Sequence, residues 1–223
     1  MQTVLAGTDE EVPRKWLRMM SIWPPSTPAH KTEFTDLLTS ELDGYVCIAD
    51  PPGSLLVPEL LGMYPDAKVL VTIREKKKWA VSMQAIRRLI IPSWIATTLY
   101  FWVPVLRLMP AFWDTLPGIF VARHGQLMED DLETLYRVYD AHHRWLEETV
   151  PREKLFYVDV KEGWGPMCEA LGVEVPVGVE FPRLNESKDM EEMFKAFAVQ
   201  GLIRWGMVVG GLAVVGGGVW WWL

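Results

Sequence analysis

The chain of 223 residues is poor in the groups that would declare a function at once. It has only two cysteines, Cys47 in a strand-like run and Cys168 in a helix-like run. They form neither a metal-ligand spacing nor a disulfide framework, and read as buried free thiols of a reducing compartment. Positive charge is also scarce: 22 Lys and Arg against 29 Asp and Glu give a net charge of −7. Without a global basic field, nucleic acid is set aside as a partner. Four histidines are present, and no third ligand stands at a suitable distance from the His142-His143 pair, so no metal is expected. Adjacent histidines face different sides of a helix, which makes them a packed or solvent-exposed pair. The N-terminus, MQTVLAGTDEEVPRKW, lacks a basic stretch followed by an apolar run and is not a secretory signal.

What the chain does have is apolar bulk, at 50% hydrophobic residues, enough for one core-bearing domain and something more. Helices are predicted over 12–20 and 31–42, the second with Thr32 as N-cap and Phe34, Leu37, Leu38 and Leu42 along one face. A short apolar run, 45–50 (YVCIAD), reads as a strand that ends at Asp50. After the Pro-Pro-Gly turn a helix is predicted over 54–65, and then a second strand, 68–73 (KVLVTI). Strand, helix, strand and helix in this order argue for a βαβ unit in a parallel sheet buried on both faces. That second strand stops at Arg74, passes a basic turn and enters a helix carrying Ser82. An arginine fixed by a strand end beside a helix start, with its unpaired N–H groups, is a way to build an anion site. Lys76, Lys77 and Lys78, like Arg87 and Arg88, read more readily as a solvated helix face than as a ligand site. A long amphipathic helix over 129–150, a third strand over 155–160 and a helix closed at Gly172 follow. A last soluble helix runs from a capping Ser187 to Ala198.

Two stretches stand apart. Residues 89–121 are rich in Trp and Pro, and Arg107, Asp114 and four prolines interrupt them, so they read as short helices making an apolar lid or substrate wall. A helical hairpin in a membrane interface is the alternative. Residues 205–223, WGMVVGGLAVVGGGVWWWL, carry no charge, and as a helix would span about 28 Å, close to a bilayer core. Lys195 and Arg204 precede them and three tryptophans suit the far interface. This is read as a single-pass C-terminal anchor of the endoplasmic reticulum or another endomembrane, with the globular part cytosolic. Gly206 and Gly210 make a GxxxG spacing, the basis for a weak homodimer.

Four blocks together resemble the fungal P-loop sulfotransferase-like family, relatives of the PAPS-dependent sulfotransferases. They are FTDLLTSELDGYVCIADPP with ELLGMYPDAKVLVTIR, the spacing from Arg74 to Ser82, Tyr139-x-x-His142-His143, and EGWGPMCEALGVEVP with FPRLNESKDM. The resemblance implies an α/β fold with a three-layer parallel sheet, here assigned to residues 1–200, with 89–122 as its apolar lid and 201–223 as anchor. It implies that Arg74 and Ser82 hold the 3′-phosphate of PAPS (3′-phosphoadenylyl sulfate). The family's glycine-rich loop, of the type G-x-P-R-T-G-T-x-S after a first strand, is not found here, so the fold is expected to be incomplete at its N-terminus. A truncated reading frame, a borrowed strand and a divergent member are the explanations left open.

The implied function is transfer of a sulfuryl group from PAPS to a hydroxyl of a lipophilic small molecule in fungal secondary metabolism. The competing reading is a non-catalytic tail-anchored accessory protein with a decayed nucleotide site. For a general base, His124, placed after the apolar region, and Asp50, at a strand end, are the candidates. Asp50 also reads as a turn residue capping the next helix.

Overall fold

A computed structural model describes residues 9–182 and 187–222, and side chains only for 9–182 and 191–216. The elements are α1 (Glu11–Ile22), α2 (Pro28–Leu42), α3 (Val57–Met63), β1 (Val69–Ile73), α4 (Lys76–Leu89), α5 (Ser93–Tyr100), α6 (Met109–His124), α7 (Leu132–Thr149), β2 (Leu155–Asp159), α8 (Trp164–Leu171) and α9 (Ser187–Trp222). Two compact units emerge. One gathers the described residues up to Tyr45, Leu89–Leu116 and those from Lys188 onward; the other gathers those of Val46–Arg88 and Pro117–Ser187.

The first unit is helical. Thr27, rather than Thr32, caps α2: its hydroxyl accepts from His30 N at 3.1 Å, and Pro28 occupies the first turn. Met19 of α1 and Leu38 of α2 are fully buried. The Arg18 guanidinium grips Glu33 through two hydrogen bonds of 2.7 and 2.8 Å, a bidentate pair across these helices. Ala96, Tyr100, Val103 and Leu106 form a second cluster, against which Phe197 of α9 packs. Beside it Val105 holds a left-handed backbone, φ 64°, where its N–H reaches Glu10 at 3.3 Å. Arg107, bonded to the same carboxylate, holds Glu10 down to a pKa of about 2.

The second unit holds the sheet. β1 and β2 run parallel with Val69 opposite Leu155 and Ile73 opposite Asp159, as the β-branched runs predict. Val57, Val71, Leu146 and Val150 form the core that α3, β1 and α7 share, with Trp145 and Leu155 packed against it. Asp131 caps α7 through Thr134 N at 2.8 Å. Gly172, φ 73°, closes α8, with Val173 N returning to Cys168 O. The helix expected over 54–65 is split into a 3₁₀ turn, Gly53–Leu55, and α3.

Three further sequence expectations need correction. Residues 45–50 form no strand: Tyr45 is 70% exposed, Asp50 lies at φ 61°, and no described strand offers its ladder a partner. Cys47, in that run, is exposed rather than buried, whereas Cys168 is buried. β1 is not covered on both faces either, because Val71 is buried while Thr72 is exposed. The described sheet therefore has two strands, and helices on it are as expected for an α/β chain.

Candidate functional site

β1 delivers Arg74 to the start of α4, where three consecutive lysines follow Glu75. Helical spacing does the rest. Lys78, Ser82 and Ala85 recur at intervals of four and three and so share one face of α4. Arg74, Glu75, Lys77, Lys78, Val81, Ser82 and Ala85 line a shallow concavity of about 440 Å³. Arg74 and Ser82, the pair implied by the family resemblance, are thus brought together on one wall. Neighbouring Glu75 pairs with Lys78 at 2.8 Å rather than with Arg74, which lowers the Glu75 pKa. Among the described residues the Arg74 side chain has no hydrogen-bond or ion-pair partner. Lys76 points elsewhere, to Asp140 of α7 at 2.5 Å.

The concavity is backed by Tyr139 of α7. Its hydroxyl donates to the Arg74 carbonyl oxygen at 3.0 Å, and its ring meets Trp79 of α4 edge-on at 5.3 Å. Behind Tyr139 stands His143, 4.4 Å away between ring centres, which in turn stacks on Tyr157 of β2 at 5.8 Å. The Tyr157 hydroxyl donates to Glu147 at 3.0 Å; burial, then this bond to the carboxylate, push its pKa up to about 12. None of these contacts was read from the sequence, although Tyr139 and His143 stand four apart on one helix face and Tyr139 lay in a quoted block.

His124 ends α6 and is only 8% exposed. Its Nδ1 lies 3.0 Å from the Phe120 carbonyl oxygen and its Nε2 lies 2.9 Å from Nδ1 of His142. A carbonyl only accepts, so Nδ1 of His124 carries the proton and its Nε2 accepts from His142. The lone pair left on this neutral pair is then Nε2 of His142. Phe120 and Trp145 pack around the two rings. Burial first, and then the neighbouring imidazoles, bring His142 down to a pKa of about 4, and burial lowers His124 as well. Arg123 fixes this end of α6 through Glu59 and the Leu55 carbonyl oxygen. Asp50 sits apart on its exposed turn, its carbonyl accepting from Ser54 N at 3.0 Å. Among the described residues no group of three or more His, Cys, Asp or Glu could hold a metal ion.

An arginine at a strand end, a helical hydroxyl eight residues on and a cationic turn between them are donors chemically able to hold an anion. A family described as "Sulfotransferase domain" matches residues 1–190. A relative, "Ava biosynthesis cluster protein M" of Aspergillus versicolor, is 29% identical over 148 residues, 66% of this chain. The aligned part is 56% of that relative, so the chain spans little more than half its length. With the match extending over most of its residues, the chain belongs to the sulfotransferase domain family, a sulfotransferase-like family with fungal members.

Proposed function

We propose that this chain is a membrane-anchored sulfotransferase-like protein that moves a sulfuryl group from PAPS to a hydroxyl of a lipophilic small molecule in fungal secondary metabolism. One observation carries the reading: Arg74 and Ser82 share a concavity with Lys77 and Lys78, and the Arg74 guanidinium is uncommitted there among the described residues. A guanidinium fork and a hydroxyl divide the oxygens of a phosphate between them, and the lysines add charge without fixed geometry. These residues fit the 3′-phosphate of PAPS, whose contribution when bound is the sulfuryl group itself. Tyr139 steadies the Arg74 backbone from behind. For the acceptor hydroxyl's proton, Asp50, exposed on its turn, is the candidate base, because both ring nitrogens of His124 are engaged and His142 is held neutral.

The β1–α4 and β2 elements are taken as part of a three-layer parallel sheet of the P-loop type, residues 1–200, with 89–122 as the substrate wall and 201–223 as anchor. The family match supports this, and the biosynthesis cluster in the relative's name supports the metabolic setting. Among the described residues one helix, Glu191–Gly216, is long and apolar enough to cross a membrane.

Detergent-solubilised protein, incubated with radiolabelled PAPS and a panel of lipophilic phenols and alcohols, tests the reading. Label appearing on an acceptor, and lost in Arg74→Ala, is the expected result. Saturable PAPS binding with no transfer to any acceptor removes the transfer step, and does not fit an accessory protein with a decayed nucleotide site. Absence of saturable PAPS binding removes the proposal.

A further inference from the structure

The long helix α9 does not leave the first unit bare. Leu99 of α5 lies so close to Gly201 that a Cβ there would sit 2.6 Å from the Leu99 carbonyl oxygen. Four residues on, the Trp205 indole N–H donates to the Thr98 carbonyl oxygen at 2.7 Å. Trp102 meets the Trp205 ring edge-on at 5.9 Å. These contacts pin α5 to α9 at a particular level, since Arg204 is the last charged residue of the chain. Beyond it α9 presents Met207, Val209, Leu212, Val214 and Val215, all exposed.

At that level the surface is apolar in a way a soluble chain has no use for. Trp94 is 74% and Leu202 64% exposed, and Phe101 and Trp102 are exposed too. Trp94, Ile95, Thr98, Leu99, Leu202 and Trp205 line an open apolar groove of about 370 Å³ between α5 and α9. From residue 89 to residue 106 no charge interrupts it. Two polar groups in its wall are already satisfied within the protein: the Thr98 hydroxyl bonds to the Trp94 carbonyl oxygen at 2.9 Å, and the Trp205 N–H is taken as above. Covering this groove with hydrocarbon would leave neither of them unpaired, which is the condition for entering lipid.

We propose that α5, with Trp94, Phe101, Trp102 and Trp205, is an interfacial docking surface that lies in the headgroup and upper acyl region of the bilayer crossed by α9. The occupant is lipid because the groove runs without a break into the candidate span, and because tryptophans gather where charge stops, as they do at membrane interfaces. A contiguous exposed patch of this kind needs a partner. The inference rests on the anchor reading, and the two are separable by experiment.

The test uses the full chain with exposed Cys47 replaced by Ser and buried Cys168 retained. Trp94→Cys, Val209→Cys and Ser40→Cys are made one at a time, each at an exposed side chain. Each is labelled with an environment-sensitive fluorophore and reconstituted in phosphatidylcholine vesicles containing nitroxide lipids. Quenchers are placed either near the headgroup or deep in the acyl chain. We expect the shallow quencher to reduce emission at position 94 at least twofold more than at Ser40, and the deep quencher to act on position 209. Position 94 unquenched while 209 is quenched overturns the docking surface and leaves the anchor standing. Position 94 quenched by the shallow probe with 209 silent keeps the docking surface and removes the anchor. Neither position quenched removes both, and is also the result if a second protein copy covers the groove.

Discussion

His142 is held neutral in the folded chain, and this has a consequence for stability. Its pKa falls from 6.5 to about 4, so between those values the unfolded chain binds a proton that the folded chain refuses. Stability is therefore full above about pH 6.5, falls as the pH drops through that window, and levels off below about 4. The loss is on the order of 3 kcal/mol, with 1.36 kcal/mol per unit. Thermal unfolding measured from pH 7 to pH 4.5 should show a falling Tm, and His142→Phe should flatten the slope. A slope unchanged in that variant would place the proton elsewhere. Tyr139→Phe removes only the hydroxyl that holds the Arg74 carbonyl. Loss of one such bond, worth about 1 kcal/mol, should weaken binding of a 3′-phosphonucleotide roughly fivefold while leaving the fold intact by circular dichroism. Of these residues, Arg74 was legible as an anion ligand because a strand end beside a helix start fixes it, while its pairing with Ser82 on a 3′-phosphate came from the family resemblance. The His124–His142 bond was not, since it joins two helices whose packing no local pattern encodes.

Among the elements, those with local punctuation were legible and those needing a distant partner were not. Gly172 as an αL cap, β2 and the long amphipathic α7 follow from turn chemistry and periodicity. The run at 45–50 has strand composition but no described neighbour to complete its hydrogen bonds, and it stays irregular. The cap on α7 gives a direct check. Asp131→Ala deletes the bond to Thr134 N and should cost about 1 kcal/mol, read as a lower denaturation midpoint with an unchanged slope. A larger effect is expected at Gly201→Ala, where the new Cβ meets the Leu99 backbone. Backbone cannot swing aside, so about 1–3 kcal/mol is expected to be lost, and thermal unfolding in detergent should show a Tm lower by several degrees. An unshifted Tm would mean that α5 and α9 separate freely.

For the whole molecule, composition and charge pattern carried more than expected from so few motifs. An uncharged C-terminal stretch after Arg204 announced a helix of spanning length, and the helix proves to be continuous from Ser187 to Trp222. The cap assigned to Ser187 lies outside the described side chains. What sequence patterning could not supply was the division into two units, because each is assembled from segments far apart in the chain. Deleting 205–223 should move the protein from the membrane pellet to the supernatant. Persistence in the pellet would transfer the membrane attachment to the α5 surface.

The claim that Arg74 and Ser82 form a 3′-phosphate site is reached most directly by calorimetry with adenosine 3′,5′-bisphosphate on the solubilised full chain. The account predicts saturable binding that Arg74→Ala weakens about 10- to 100-fold, the worth of a charged hydrogen-bonding group. Ser82→Ala should weaken it less, by about fivefold. No saturable heat from the native protein, or an affinity unchanged in Arg74→Ala, would contradict it.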